Sequence, residues 1–342
     1  MFSNKTILIT GGTGSLGKAC IKRLLNKHNP KSLRIFSRDE LKQWEIDNQF
    51  SEHPKHNRLR FFIGDVRDGQ RVKRAFEGCD YVIHAAALKQ IPAAEYNPME
   101  CVKTNILGSQ NVIDAAIDAG VKKVVAISTD KAASPINLYG ATKLCAEKLF
   151  ISANNIKGVR PITFSVVRYG NVMGSRGSVI PFFLSKKEGE SLTITDSKMT
   201  RFNITLDEAV DLVFYALKNS TGGEIFVPKI PSYRITDLAQ AVAPNRQIKY
   251  TGIRPGEKLH EEMVTIYESP KTYETRKYYV ILPSIQFFAT KKEVMKSIVK
   301  LKAKKVKEGF HYSSDNNKQW LDAVQLRKLI QKHIDPTFQP IK

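Results

Sequence analysis

Cysteine is scarce in this chain of 342 residues: Cys20, Cys79, Cys101 and Cys145 are scattered, and none forms a C-x-x-C pair. That spacing excludes a disulfide framework and a zinc ribbon, and predicts reduced core thiols in a cytoplasmic protein. The 7 histidines form no ligating constellation, so no metal is expected. No apolar run approaches the roughly 20 residues that a bilayer-spanning helix needs, and strand-like sequence begins almost at once, which predicts a soluble chain without a secretion signal. Internal repeats and low-complexity tracts are missing as well. Acidic residues are few, 33 against 54 lysines and arginines, for a net charge of +21. A positive field of that size favours small anionic ligands. Much of the excess lies in residues 291–307, where Val294, Ile298 and Leu301 recur at helical spacing. No aromatics interleave with those lysines, so the pattern predicts an amphipathic helix with a solvated cationic face. Nucleic-acid binding is not expected.

What is present, 42% hydrophobic residues, suffices for one large or two intimately joined domains. Residues 5–10 read as a buried strand running into Gly11-Gly12-Thr13-Gly14-Ser15-Leu16-Gly17 and then an apolar-periodic helix. This G-x-x-G-x-x-G spacing is a dinucleotide fingerprint: Gly11 permits the tight turn, Gly14 lets backbone N–H groups reach a pyrophosphate, and Gly17 lets helix and strand close together. The second strand ends in Ser37-Arg38-Asp39 instead of a lone acid at its tip. A hydroxyl and a guanidinium suit a 2′-phosphate, which favours NADP over NAD, although Asp39 one position later can still face a ribose. Further strands end at Asp65-Val66 and at His84-Ala85-Ala86-Ala87. Asp65 is placed to bind an adenine amino group and the alanines to let a cofactor lie against backbone, while His84 reads as a satisfied core histidine.

The strand at residues 123–127 delivers Ser128-Thr129-Asp130-Lys131 to the carboxyl edge of the sheet, where ligands bind in open α/β folds. Tyr139 and Lys143 follow at i, i+4 on one helix face. A lysine so placed lowers the phenol's pKa and prepares it to take a proton from a sugar hydroxyl while a nicotinamide takes the hydride. An acid, two amines and a phenol beside a dinucleotide site suggest redox chemistry coupled to elimination.

With these stand further motifs: FSRDELKQ at 36–43, FIGDVRD at 62–68, AEYNP at 94–98, NLYGATK at 137–143, VRYGN at 167–171, GSRGSV at 174–179, GGEIFVPKIP at 222–231 and RPGEK at 254–258. Together they resemble the extended short-chain dehydrogenase/reductases, specifically the inverting UDP-N-acetylglucosamine 4,6-dehydratase (5-epimerising) family of pseudaminic acid synthesis. The resemblance implies oxidation at carbon 4 by NADP, loss of water across carbons 5 and 6, hydride return to carbon 6 and inversion at carbon 5. It implies Tyr139 as base for the carbon 4 hydroxyl, with Lys143 and Thr129 in support. Asp130 would be the acid for the carbon 6 hydroxyl, with a pKa raised by burial. Lys131 would be the carbon 5 base, kept partly neutral by desolvation or by a nearby cation such as Lys143. Configuration-retaining relatives carry a carboxylate at the position of Lys131, and Tyr139 favours the pseudaminic-acid branch over one with an apolar residue there. Arg168, Arg176 and Arg254 lie in loop-like, glycine-containing segments, where a guanidinium can grip the diphosphate of a nucleotide sugar in two-point geometry, and Asn171 and Glu257 can read uridine or ribose hydroxyls; Lys89, Val179, Thr200 and Arg201 are expected at the same substrate. Gln90 and Asn203 depart from a family histidine and a family aromatic, which bears on sugar selectivity.

The expected fold is α/β: a Rossmann-type, doubly wound parallel sheet with a smaller α/β substrate-binding domain. Residues 1–171 and 203–230 are assigned to the first and residues 172–202 and 231–342 to the second. A homo-oligomer, dimer to hexamer, is the default. Two other readings stand beside the main one: a retaining dehydratase or 4-epimerase of UDP-hexoses, and a noncatalytic NADP-binding protein with a polyanion-binding surface.

Overall fold

All five residues of the first strand, β1 (Thr6–Thr10), are buried, as a strand covered by helices on both faces requires. The computed structural model describes residues 1–175, 177–186, 189–284 and 297–341. After β1 come α1 (Ser15–Lys27), β2 (Ser32–Ser37), α2 (Glu40–Gln49), β3 (Leu59–Ile63), α3 (Gly69–Phe76) and β4 (Tyr81–His84). Then follow α4 (Ile91–Tyr96), α5 (Pro98–Val102), α6 (Gly108–Asp118), β5 (Lys123–Thr129), α7 (Leu138–Ile156) and β6 (Thr163–Tyr169). Side-chain caps mark where several helices start: Asp39 accepts from Lys42 N at 2.9 Å before α2, and Asn137 accepts from Gly140 N at 2.7 Å before α7.

Beyond β6 the elements shorten: β7 (Asn171–Val172), α8 (Val179–Leu184), β8 (Leu192–Ile194), β9 (Thr200–Ile204), α9 (Leu206–Asn219), β10 (Ile225–Pro228), β11 (Ser232–Arg234), α10 (Ile235–Val242), β12 (Ile248–Tyr250), β13 (Glu262–Val264), β14 (Thr272–Glu274), β15 (Tyr278–Ile281), β16 (Lys304–Lys305) and β17 (Tyr312–Ser313). A helix, Ala323–His333, follows near the C-terminus.

The large sheet has 10 strands in the order β16-β14-β15-β10-β6-β5-β4-β1-β2-β3. From β10 to β3 every pairing is parallel, and the order reverses between β1 and β4. At such a reversal the loops leaving neighbouring strands diverge to opposite faces and open a crevice at the carboxyl edge. The expected doubly wound α/β class is borne out. Fully buried Ile7, Leu8 and Ile9 anchor the sheet's core, each contributing roughly 1.5–3 kcal/mol.

A second core joins Met173, Ile180, Phe183, Leu192, Ile194 and Met199 to Tyr233, Ile235, Leu238, Leu326 and Ile330. It lies over the carboxyl edge and supplies the far wall of the crevice. Strand pairing departs from the expected boundary, which gave all of 231–342 to the smaller unit: β15 adds antiparallel to β10 and β14 to β15, extending the large sheet. Val280 and Ile281 pack into the main core. In the lysine-rich stretch, residues 297–300 are helical, Ile298 is buried, and the exposed Lys304 and Lys305 form β16; Val294 lies outside the described residues. Cys20, Cys79 and Cys101 are buried free thiols, but Cys145 is exposed, because α7 turns that position away from the sheet.

Candidate active site

The crevice is a cleft of about 1140 Å³ that runs from the β1 turn to the smaller core. At its first end Gly11 has φ +64°, and a Cβ there would meet Ala86 N at 2.8 Å, so the turns after β1 and β4 touch through backbone. A Cβ on Gly17 would lie 2.3 Å from Gly12 O, which is why α1 can rest on the turn only with glycine there. Gly14 caps α1 without a side chain, leaving the helix N-terminal N–H groups directed into the cleft. Thr13, Ser15, Leu16, Val66, Ala85, Ala86 and Ala87 line the same end. This cradle fits a dinucleotide.

At the tip of β2, Gln43 donates to both Ser37 O and Ser37 Oγ at 3.1 Å, which leaves the hydroxyl proton available as a donor. Arg38 is exposed and 3.7 Å from Asp65. Asp39 also lines the cleft, where it caps α2 and pairs with Lys42. Asp65 lines the cleft but already accepts from Arg67 Nε at 2.9 Å and Nη2 at 2.7 Å. His84 is buried between Thr10 Oγ1 at 2.8 Å and Ser109 Oγ at 3.3 Å, and burial pushes its pKa down to about 3. It is a neutral core residue, as its sequence context suggested.

The chemical groups meet where β5 ends. Asp130 has no exposed surface; its Oδ1 accepts from Thr129 Oγ1 at 2.9 Å and from Lys131 Nζ at 3.1 Å, while Oδ2 is buried without a partner. Burial raises the Asp130 pKa against the opposing pull of Lys131. A second carboxylate, Glu261 just before β13, holds the same amine at 3.0 Å, with Arg201 Nε 3.8 Å behind it. Burial alone would lower the Lys131 pKa, but Asp130 and Glu261 outweigh it and hold the amine above lysine's ordinary value. The resting group is an ammonium between two carboxylates. This corrects the expectation of an amine kept partly neutral by desolvation or by a nearby cation such as Lys143.

Tyr139, from the first turn of α7, faces Thr129 and Lys131. Burial pushes its phenol up to about 12, and the opposing influences come from Lys131 and a hydrogen bond to Thr129, not from Lys143. Lys143 is itself lowered to about 8 by burial. The i, i+4 pair does line the cleft together, but the charge acting on the phenol comes from the neighbouring turn.

Of the residues expected at the nucleotide sugar, Lys89, Asn171, Val179, Arg201, Arg254 and Glu257 line the cleft, and Asn171 Oδ1 and Glu257 Oε2 are buried without partners. Arg168 and Thr200 do not. Arg168 is fully buried on β6 and spends its donors on Glu147, Glu268 and Met263 O, so it has none for phosphate. Thr200 turns into the fold toward His260 Nδ1 at 2.9 Å and Ser314 Oγ at 2.6 Å. Arg176 lies outside the described residues. Gln90 lines the cleft, whereas Asn203 is buried in β9 opposite Asn171. Two supporting groups went unnoticed in the sequence: Glu261, and Asn137, which caps α7 and donates to Gly256 O at 2.8 Å. Asn137 stands where an N-cap is expected, just before Leu138, but no local spacing marks Glu261.

A family model described as polysaccharide biosynthesis protein matches residues 7–283. The chain belongs to that family. It is 54% identical, over 96% of its length and 98% of the relative's, to a UDP-N-acetylglucosamine 4,6-dehydratase (inverting) of Campylobacter jejuni subsp. jejuni serotype O:23/36 (strain 81-176), which bears out the resemblance read from the motifs. It is also 46% identical to a UDP-glucose 4-epimerase of Rickettsia massiliae (strain Mtu5), over 82% of this chain and 84% of the relative. Among solved structures, Pen from Bacillus thuringiensis is 41% identical with a TM-score of 0.87, covering 97% of this chain and 98% of its own. DesIV, a dTDP-glucose 4,6-dehydratase from Streptomyces venezuelae with NAD and TYD bound, shares the fold at a TM-score of 0.64 and 22% identity, over 74% of this chain and 86% of its own.

Proposed function

We propose that this chain is a configuration-inverting UDP-N-acetylglucosamine 4,6-dehydratase that works with NADP. The observation that carries the reading is the Asp130–Lys131 contact of 3.1 Å beside Tyr139 in the dinucleotide cleft of a chain 54% identical to an inverting dehydratase. When bound, the cofactor supplies a hydride acceptor and donor, and its oxidised form brings positive charge near the phenol. Ser37 and Arg38 would hold the 2′-phosphate, the glycine turn and the α1 N-terminus the pyrophosphate.

The ionised form of Tyr139 would take the proton of the carbon 4 hydroxyl, with the Thr129 hydroxyl facing the phenol and donating to Asp130 Oδ1 at 2.9 Å. The carbon 4 ketone acidifies the proton on carbon 5, and Lys131 removes it. Asp130 delivers a proton to the departing carbon 6 hydroxyl. This step needs Lys131 neutral and Asp130 protonated, a state that differs from the resting ion pair only by one proton moved across their 3.1 Å contact. Elimination then returns the pair to ammonium and carboxylate, so the two residues balance their own protons. A proton from solvent, added to carbon 5 on the face opposite Lys131, gives the L configuration.

The epimerase relatives, less similar at 46% identity, bring up a second reading that is not favoured, exchange at carbon 4 alone. Such a reaction needs the phenol and the hydride but gives the buried acid and amine nothing to do. Proton NMR of the product formed from UDP-N-acetylglucosamine and NADP in deuterium oxide separates the two. A carbon 6 methyl group, deuterium at carbon 5 and L-type couplings are expected; an intact carbon 6 methylene with inverted carbon 4 overturns the proposal. We also propose that the product feeds a glycan pathway of the pseudaminic-acid type and that the enzyme acts in the cytoplasm as a homo-oligomer.

A further inference from the structure

Glu261 has no place in the proton transfers above, yet it is buried, lines the cleft and touches the amine that the mechanism needs as a base. Its position is built. Glu261 N accepts no freedom from its surroundings: it donates to Ser314 Oγ at 2.9 Å, and Ser314 N donates back to Glu261 O at 2.8 Å, fixing the strand edge on both sides. Thr200 Oγ1 contacts the same Ser314 hydroxyl at 2.6 Å. Of the two carboxylate oxygens, Oε1 meets Lys131 Nζ at 3.0 Å and Arg201 Nε at 3.8 Å, while Oε2 is buried with no partner among the described residues. A buried carboxylate oxygen left unpaired costs free energy unless something else completes it.

We propose that Glu261 is a positioning residue for Lys131: as the second carboxylate on that amine it fixes Nζ at the cleft wall and governs when Lys131 carries a proton. The inference rests on the dehydratase reading for its consequence but not for its geometry. Lys131 is faced by Asp130 on its own turn, by Glu261 and Lys258 from the segment before β13, and by Arg201 from β9. Lys89 after β4, Tyr139 on α7 and Tyr233 on β11 complete the surroundings. Among these, only Asp130 and Glu261 are carboxylates in contact with it. Asp130 must itself be protonated for the elimination, so in that state Glu261 is the remaining anion that can hold the amine in place. It also opposes loss of the amine's proton.

The test is Glu261→Gln, which keeps size and hydrogen bonding but removes the charge, with Glu261→Asp as the conservative partner. NMR of the holoenzyme carrying isotope-labelled lysine, with the Lys131 resonance assigned by its loss in Lys131→Met, reads the amine's titration without any sugar. An opposite charge at this distance shifts a pKa by roughly 1–3 units, so the Gln variant is expected to titrate at least about one unit below wild type, and the Asp variant close to wild type. In turnover of UDP-N-acetylglucosamine, the pH limb on which Lys131 deprotonates moves acidward in the Gln variant while KM changes little. An unmoved resonance overturns the proposal whatever the turnover shows. If the resonance moves but wild type leaves the sugar nucleotide unchanged, the substrate reading falls and the role of Glu261 toward Lys131 stands.

Discussion

Removing Arg168 is expected to damage the fold and not the nucleotide site, because every N–H of its guanidinium is spent inside the protein. Nε and Nη2 reach the two oxygens of Glu147 at 2.9 and 2.6 Å; Nη1 and Nη2 reach those of Glu268, each at 2.9 Å; Nη1 also reaches Met263 O at 2.8 Å. Five donors are five bonds, the full complement of arginine. In Arg168→Met two carboxylates stay behind, Glu147 with a side chain 1% exposed and Glu268 with one 20% exposed. Breaking a buried pair this way costs about 3–5 kcal/mol, and since Glu268 regains some water, about 4 kcal/mol is a fair centre. At the lower end of the usual slope for long chains, Tm should fall by roughly 8 °C.

The fall should depend on pH with a definite sign. In wild type, burial works against ionisation of Glu268 but Arg168 more than offsets it and holds the carboxyl below its usual range. That contribution is present above the unfolded value near 4.3 and is lost as pH falls through the folded one. In Arg168→Met the unpaired carboxylates prefer to be neutral, so the penalty is present at high pH and relieved as pH falls. The Tm gap is therefore expected to be wider at pH 8 than at pH 5, and the triple variant Arg168→Met, Glu147→Gln, Glu268→Gln should recover much of the loss. Differential scanning fluorimetry with parallel steady-state kinetics decides. An unchanged Tm together with a KM for the sugar nucleotide raised tenfold would refute the assignment and return Arg168 to the phosphate.

Three further outcomes follow from the cleft. Arg38→Ala should weaken NADP binding roughly tenfold or more, the worth of one charge-assisted contact, and leave NAD nearly unaffected; equal losses in a calorimetric titration would remove the 2′-phosphate argument. Lys131→Met should permit oxidation at carbon 4 but not elimination, so reduced nicotinamide should accumulate in a single turnover, and its absence would count against Lys131 as the carbon 5 base. Lys143, held at about 8 by burial, binds fewer protons folded than unfolded between that value and about 10.4. Wild-type stability should therefore gain on that of Lys143→Met as pH rises from 8 to 10, and a Tm difference that stays flat over that range would place the amine in water.

The turn after β1 was legible because its demands are local: Gly11 and Gly17 answer backbone contacts within a few residues or at a neighbouring strand end, and their spacing carries that geometry. Arg168 was misread for the opposite reason. Gly170 makes VRYGN look like a loop, yet β6 runs on to Tyr169, and an arginine among Val166, Val167 and Tyr169 on a buried strand needs buried partners. Those partners, Glu147 and Glu268, come from α7 and from the turn after β13, which nothing in the local pattern announces.

The same distinction divides the catalytic turn. The residue types of Asp130, Lys131, Tyr139 and Lys143 were legible as an acid, two amines and a phenol, because reaction chemistry constrains identity. Their protonation states were not, because these depend on which charges the tertiary fold brings near. Reading only the i, i+4 spacing assigns Lys143 to the phenol, whereas the folded chain sets Lys131 against Tyr139 and leaves Lys143 deeper, lowered by burial. The resemblance alone makes the amine a partly neutral base, whereas Glu261 arrives from beyond the RPGEK stretch at 254–258 and makes it an ammonium. A base that rests protonated beside an acid that rests ionised is no contradiction. One proton crossing 3.1 Å exchanges the two states, and Glu261, still ionised in both, keeps Nζ in place while it crosses.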